Sequence, residues 1–153
     1  YAGKKFLYNN LEIKDVFLPS LENADDEFMY FNKYIEKAYM PKLKVTGKYF
    51  MFSAEQIEKF DFGLLENVSD YFLYNFNFLK EVYFPNLIEM GNYFMYCDNN
   101  VEILDAPNLR KVGNFCFYKN LVLRNIISDN IESVGYGCNK EFEGIDKRKV
   151  LRK

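Results

Sequence analysis

Side chains that commonly carry chemistry are few in this sequence, and their spacing fits no familiar metal or catalytic motif. The 153 residues include no histidine, and the three cysteines, Cys97, Cys116 and Cys138, form no C-x-x-C motif. Histidine is the commonest general base and metal ligand, and zinc sites need several Cys or His ligands at short spacings. The sequence therefore predicts neither a metal centre nor a bound cofactor.

Carboxylates are the remaining candidates for acid–base chemistry. Asp61 and Asp105 are 44 residues apart, which is two units of the repeat described below, so they would lie on one exposed face about 10 Å apart. Nothing in the sequence buries either side chain, and a catalytic carboxyl needs a pKa tuned by burial or by a close charge. The run from Asp25 to Glu27 is typical of a solvated loop. We expect no enzymatic activity from this segment.

Two of the cysteines are 22 residues apart. On neighbouring coils, Cys116 and Cys138 would have Cα atoms about 5 Å apart, within the range of a disulfide. Inward side chains that run parallel rarely reach the required dihedral angle, so we expect buried thiols, with a disulfide as the alternative.

The elements that position these groups follow a repeat of 22 residues. The four prolines are Pro19, Pro41, Pro85 and Pro107, which are 22, 44 and 22 residues apart. They define a column with a period of 22 residues, here called the proline column, in which Gly63 and Asp129 occupy the remaining positions. Leu or Ile stands two residues after this column, and Tyr or Phe stands eleven after it from Tyr8 to Tyr118. Glycine recurs six after it, at Gly47, Gly91, Gly113 and Gly135, with Gly3 one period upstream. Nine after it stands a phenylalanine column, continued by Cys116 and Cys138: Phe6, Phe28, Phe50, Phe72 and Phe94. The register holds without insertion from Gly3 to Cys138 and reads L-x-x-V-x-L-P-x-L-x-x-V-G-x-x-F-x-Y.

Each unit predicts a short strand that proline ends and a turn that glycine permits. The alternation in L-x-x-V-x-L suits a strand with one buried face, and the glycine column suggests a turn with positive φ. One unit cannot bury its apolar face alone, so units must stack, with strands about 4.8 Å apart. The phenylalanine column then becomes a continuous spine, in which each buried ring contributes about 2 kcal/mol.

The unit resembles the leucine-rich repeat, and more narrowly the BspA-like (treponemal-type) repeat of bacterial surface proteins. The residues that match that family's pattern best are Leu79, Val82, Phe84, Pro85, Leu87, Met90, Gly91, Phe94 and Met95. The resemblance implies an α/β-type repeat solenoid, a right-handed superhelix of 22-residue coils. Its parallel strand ladder would line the concave face, with mostly loops or short helical turns on the convex face. The chain differs from the family in placing Phe where Ala is usual and in lacking the regular Cys.

We expect a single domain over residues 1–153 with about six full repeats, a partial first repeat at 1–12 and a cap at about 139–153. The chain opens within a repeat, so further repeats are expected upstream. The basic run from Asp146 to Lys153 fits a polar cap that protects the last sheet edge, and a docking tail is the alternative.

The outward strand positions, two and four residues before the proline column, are the candidate binding surface. They vary from repeat to repeat while their inward neighbours do not, as in repeat proteins that diversify a binding face. The candidate ligand-binding residues are Phe17, Tyr39, Asp61, Tyr83 and Asp105 in the first column, and Lys37, Lys59 and Glu81 in the second. The aromatic members fit interface anchors, and cross-strand packing is the alternative. The regular tyrosine column, in contrast, indicates a structural ladder more than a stacking platform for sugars or bases.

These patterns predict a monomeric module that binds other proteins. The net charge of −2 gives no field for nucleic acid, and no apolar run is long enough to span a bilayer. The resemblance implies a cell-surface or secreted adhesion protein whose partners are proteins on a host or neighbouring cell. An intracellular (cytoplasmic) scaffold or effector segment and a structural spacer are the alternatives.

Overall fold

The computed structural model describes residues 1–76 and 79–142, and within them the chain is a parallel β-solenoid. Each coil contributes two short strands, one before and one after the proline column. The first strands are β1 Asp15–Phe17, β3 Lys37–Tyr39, β5 Lys59–Asp61, β7 Glu81–Tyr83, β9 Ile103–Asp105 and β11 Asn125–Ile127. The second strands are β2 Asn23–Ala24, β4 Val45–Thr46, β6 Asn67–Val68, β8 Glu89–Met90, β10 Lys111–Val112 and β12 Ser133–Val134.

Strand pairing confirms the 22-residue register. Val16 pairs with Ala38 in the first ladder, and Asn67 pairs with Glu89 in the second. The second strands form one six-stranded sheet from β2 to β12, whereas the first strands form two sheets, β1-β3-β5 and β7-β9-β11. In the described ranges, helix is confined to residues 140–142, and the return path of each coil consists of turns. The repeat solenoid is thus present, and the short helical turns implied by the resemblance are not confirmed. The predicted cap falls largely on residues 143–153, outside the described residues.

The predicted phenylalanine spine is confirmed. Phe28, Phe50, Phe72 and Phe94 are buried, and the rings stack nearly parallel. From Phe6 onward, the centroids of successive rings are 5.3, 5.1, 5.3 and 5.1 Å apart. Rings at this spacing keep their faces in contact, so the spine contributes ring packing in addition to apolar burial.

Glycine has a different role from the predicted one. Gly47, Gly91, Gly113 and Gly135 do not have positive φ, so the expectation of a left-handed turn at this column was wrong. A Cβ at Gly113 would lie 2.5 Å from the carbonyl carbon and oxygen of Gly91. Glycine is needed because the backbones of neighbouring coils approach too closely for a side chain.

Left-handed backbone occurs instead at larger residues, eight, ten and twelve after the proline column. In one coil these are Tyr49, Met51 and Ser53, with φ of 60°, 50° and 58°. Such residues cost on the order of 1 kcal/mol or more each, so compensating interactions are required. The Tyr49 and Ser53 N–H groups donate to backbone carbonyls of the next coil, those of Asp70 at 2.9 Å and Tyr74 at 3.0 Å. The Met51 N–H donates to the Phe28 carbonyl in the preceding coil at 2.8 Å. The alternation also turns Met51, next to Phe50, into the core.

Buried polar residues recur thirteen after the proline column, at Asn32, Asp98 and Asn120, while Ala54 and Phe76 stand there in the two coils between. Asn120 supports the entry to its first strand. Asn120 Oδ1 accepts from the N–H groups of Val122 and Leu123 at 3.0 Å each, while Nδ2 donates to the Val101 carbonyl at 2.8 Å. Asp98 occupies the same column and is fully buried. Its Oδ1 accepts from the Phe76 N–H, and its Oδ2 has no hydrogen-bond partner among the described residues. Burial raises the pKa of the Asp98 carboxyl well above its ordinary value.

The close approach at the glycine column predicts a cost for any side chain there. We expect Gly113→Ala to lower the free energy of unfolding by about 1–3 kcal/mol, because backbone atoms of the neighbouring coil must move. Urea unfolding followed by circular dichroism measures this difference.

The matched control is Gly3→Ala, in the same column, where the nearest atom to an added Cβ is Tyr1 Cε1 at 4.0 Å. That substitution should leave stability nearly unchanged. Equal effects at the two positions would contradict the close-approach explanation.

Asp98 Oδ2 has no hydrogen-bond partner among the described residues. We therefore expect Asp98→Asn to raise the free energy of unfolding at neutral pH by about 1–3 kcal/mol. Because the pKa of Asp98 is higher in the folded state than in the unfolded state, protonated Asp98 contributes to the free energy of unfolding. That contribution is complete below the ordinary carboxyl pKa and is lost as the pH rises through the folded-state pKa. The wild type should therefore lose stability relative to the variant over that rising range. Unfolding free energies of both proteins across pH measure the difference, and a difference that does not change with pH would contradict the assignment.

Candidate functional site

The exposed side of the first strands, here called the first-strand face, carries the predicted binding residues. Phe17, Tyr39 and Tyr83 are 70%, 40% and 61% exposed, which is unusual for large aromatic side chains. Lys37, Lys59 and Glu81 are also exposed, whereas Asp61 and Asp105 are half-buried. All eight predicted residues thus lie on the strands that bear this face.

The aromatic side chains on the first-strand face do not form one cluster. Phe17 and Tyr39 stack with centroids 5.0 Å apart and an interplanar angle of 6°, which is the cross-strand packing considered as the alternative. No described ring contacts Tyr83, whose column neighbours are Asp61 and Asp105. The first-strand face therefore has two separate exposed aromatic sites, the Phe17–Tyr39 pair and Tyr83.

The first-strand ladder is interrupted between β5 and β7. No Cα of β5 lies within 8 Å of any Cα of β7, whereas paired strands lie about 4.8 Å apart. At the end of the paired strands, the Met40 N–H donates to the Asp61 backbone carbonyl at 3.0 Å. The Phe84 N–H donates in the same way to the Asp105 backbone carbonyl at 2.8 Å. Among the described residues, the equivalent bond from Phe62 to Tyr83 is missing. The neighbouring ladder of β6 and β8 stays paired, so the two coils open on one side only.

Phe60 explains the opening. It occupies the inward strand column, where the other members are smaller: Val16, Ala38, Val82, Leu104 and Ile126. The Phe60 ring stacks on Phe62 at 4.8 Å and on Phe84 at 5.7 Å, with interplanar angles of 15° and 16°. Phe62 and Phe84 are 22 residues apart and would otherwise be neighbours. A ring inserted between them acts as a wedge that holds the coils apart.

The opening forms a cavity of about 540 Å³, and its lining combines apolar and acidic side chains. Phe60 and Leu79 are only half-buried, whereas residues equivalent to Leu79 in other coils, such as Ile57 and Val101, are fully buried. Volumes of this size are usual for ligand sites, which span about 300–1,000 Å³. The sequence did not predict this cavity, although the oversized residue in the inward column was a visible signal.

The carboxylates around the cavity lack cationic partners among the described residues. Every ion pair in the described ranges joins residues 22 apart on neighbouring coils, as in Lys14–Glu36 and Lys111–Glu89. Glu58, Asp61 and Glu81 take part in none of them, and Lys59 is the one lysine in the lining. Asp61 Oδ1 accepts from the Gly63 N–H at 3.1 Å and leaves its other oxygen available.

The structure does not bring Asp61 and Asp105 together. The interruption between β5 and β7 lies between them, so they are not two paired ladder steps apart as expected from the sequence.

The cysteine column contains buried thiols, as expected, with no disulfide. Cys116 Sγ donates to the Gly91 carbonyl at 3.3 Å, and Cys138 Sγ donates to the Gly113 carbonyl at 3.1 Å. Burial raises the pKa of the Cys116 thiol well above its ordinary value, and the neighbouring Cys138 adds to the shift. A thiol held in its protonated form is a poor nucleophile and a poor metal ligand.

Tyrosines form two ladders on the return side of the coils. The predicted column stacks from Tyr8 to Tyr118, with Tyr74 and Tyr96 centroids 5.0 Å apart. A second ladder, missed in the sequence although four successive repeats carry an aromatic residue eight after the proline column, comprises Tyr49, Tyr71, Tyr93 and Phe115. Because each ring face within a ladder is covered by its neighbour, a ligand would meet ring edges and hydroxyl groups there. This favours a structural ladder over a stacking platform.

Comparison with protein-family models, curated proteins and solved structures found no match for this sequence. No helix in the described part of the chain is long and apolar enough to cross a membrane. The first-strand face and the cavity beside Phe60 are thus the features from which a function must be inferred.

Since the Phe60 ring holds the coils apart, a smaller residue at position 60 should let the strands on either side approach each other. We expect Phe60→Val to let β5 and β7 pair, because valine matches the inward residues of paired coils. The amide hydrogens of residues 60, 62 and 83 should then exchange at least tenfold more slowly, which corresponds to about 1.4 kcal/mol of added local protection. Hydrogen exchange measured by NMR resolves these amides.

Ile126→Val is the matched control, because it changes the same column where the ladder is unbroken. It should leave exchange at β5 and β7 unaltered. Unchanged exchange in Phe60→Val would show that another feature keeps the coils apart.

Proposed function

We propose that this chain is a protein-binding module that recognises its partner through the first-strand face. The observation that carries the proposal is the exposure of Phe17, Tyr39 and Tyr83 on short strands whose inward neighbours are buried. Exposed aromatic side chains on a rigid scaffold lose little entropy on binding and are frequent interface anchors. Interspersed charges, such as Lys37 and Glu81, would supply specificity around these anchors.

The repeat pattern supports placing the module in the leucine-rich repeat class, near the BspA-like type. L-x-x-V-x-L-P with a glycine six residues after the proline is the pattern on which this assignment rests. In that class, the strand ladder lines the concave side of a right-handed superhelix, and ligands commonly bind there. The first-strand face would be the concave side of this chain.

By the same resemblance, we propose a cell-surface or secreted adhesion role, with proteins of a host or neighbouring cell as partners. The buried thiols of Cys116 and Cys138 are more common in reducing compartments, and they favour the alternative of an intracellular scaffold or effector segment. Both roles use the same face and differ in compartment. Neither includes an enzymatic activity.

A structural spacer is the second candidate function, and the ion pairs favour it. Rungs such as Lys14–Glu36 and Arg110–Glu132 connect successive coils along the outside. Each exposed pair contributes about 0–1 kcal/mol, and a series of them along the axis favours the stacked register of the coils. A stack of coils in one register could present another domain without binding anything itself.

A triple substitution separates recognition from spacing: Phe17→Ser, Tyr39→Ser and Tyr83→Ser. If the face binds a partner, each lost anchor should cost on the order of 1–2 kcal/mol, about 3–6 kcal/mol for the three together, and affinity should fall at least about a hundredfold. Affinity capture with the immobilised chain identifies the partner, and titration of that partner in purified form gives the change in Kd.

The control variant carries Tyr34→Ser and Tyr136→Ser, which remove exposed tyrosines outside the strands. It should bind like the wild type. If the triple variant stays folded and loses no partner that the wild type captures, the recognition proposal fails and the spacer gains support.

A further inference from the structure

The opening between β5 and β7 is bounded by two strand edges that pair with no described strand. Where the ladder is intact, the Glu102 N–H donates to the Lys80 backbone carbonyl at 2.7 Å, and the Glu58 N–H donates to the Glu36 backbone carbonyl at 2.9 Å. The corresponding bond from Lys80 to the Glu58 carbonyl is missing among the described residues. Each edge therefore presents backbone donors and acceptors in the spacing of a β-ladder, which is the arrangement that extended peptides recognise.

The opening is wider than the spacing of two paired strands. Cα atoms of β5 and β7 are more than 8 Å apart, against about 4.8 Å for paired strands, and one strand inserted between them would set them two ladder steps, about 9.6 Å, apart. The cavity of about 540 Å³ lies at this place, beside Phe60 and Leu79. The paired strands β6 and β8 close its far side, so a peptide would enter from the first-strand face.

We propose that this opening binds one extended strand of a partner protein, which pairs in parallel with β5 and β7 and completes the first-strand ladder. The proposal rests on the proposed function and narrows it, since it names an extended peptide segment as the recognised element. Addition of a strand satisfies the backbone groups of both edges at once, whereas a helix has its own backbone groups bonded internally.

The ladder register predicts which side chains the strand carries. Its central residue would lie between Phe60 and Val82 and point inward past Leu79, so it should be apolar. The preceding residue would lie between Lys59 and Glu81, where a small polar side chain avoids placing a charge beside either. The following residue would lie between Asp61 and Tyr83, where a lysine or arginine meets a carboxylate and an aromatic ring. The recognised sequence is therefore polar, apolar and basic, in that order.

The charge around the cavity supports a basic residue in the strand. Glu58, Asp61 and Glu81 line it with Lys59 as the one cation, and none of the three carboxylates has an ion-pair partner among the described residues. Their combined field attracts a cationic side chain and disfavours an acidic one.

A synthetic peptide tests the inference directly. The probe is a fluorescently labelled, acetylated and amidated heptapeptide with the sequence Ser-Thr-Thr-Val-Lys-Thr-Ser, titrated with the full 153-residue chain and followed by anisotropy. We expect saturable binding. N-methylation of the central valine removes a ladder donor and should weaken binding at least tenfold, while N-methylation at the outermost serine should not. No saturable binding, or equal binding of both methylated peptides, would overturn the proposal.

Protein variants test the site. Phe60→Val closes the opening and should weaken binding at least tenfold, whereas Ile126→Val should not change it. Asp61→Asn should weaken binding about two- to fivefold, as expected of an exposed ion pair, and should have no effect on a peptide with threonine in place of lysine. If Phe60→Val does not fold, the methylated peptides still decide the question, because they leave the protein unaltered.

One variant separates this inference from the broader proposal. Phe17→Ser changes the first-strand face on β1, which β3 separates from β5, and should leave peptide binding unchanged. Peptide binding that persists in a protein whose face captures no partner would support the strand site and reject the broader aromatic surface. Peptide binding lost in this variant would place the site elsewhere and overturn the inference.

Discussion

The structure depends on one constraint, which is that each coil lies directly over the next with equivalent residues in contact. Backbone pairing at the strand spacing imposes this alignment, so a residue type repeated every 22 positions becomes a continuous row. The phenylalanine spine, the tyrosine ladders and the ion-pair rungs are all rows of this kind. Stability therefore comes from neighbour-to-neighbour contacts that are summed along the axis, as in other repeat proteins.

Because neighbouring coils pack directly against each other, the size of one side chain controls the local spacing. At Gly113 the absence of a side chain lets two backbones approach closely, and a methyl group would not fit. At Phe60 an oversized ring separates two coils and opens a cavity on one side. The same physical rule gives a tight contact at one column and a candidate binding site at another.

The turns show how the solenoid tolerates unfavourable backbone conformations. Alternating left-handed residues such as Met51 turn two adjacent apolar side chains inward, and their amide groups bond to both neighbouring coils. Burial and hydrogen bonds thus offset the conformational cost at each turn. Asp98 is an exception in the polar column, because its second oxygen finds no described partner where Asn120 uses an amide donor.

The sequence by itself determined the repeat, the positions of the first strands, the register and the phenylalanine spine, because these follow from periodicity and from the pattern of apolar residues. It did not predict the second strands, which pair into one six-stranded sheet after the proline column. It also predicted which residues, such as Phe17 and Tyr83, lie on the exposed strand face. Only the tertiary structure decided the role of glycine, the left-handed turns and the interruption at Phe60. Each of these depends on distances between residues of different coils. A repeat pattern specifies that coils stack but not how far a given side chain pushes two of them apart.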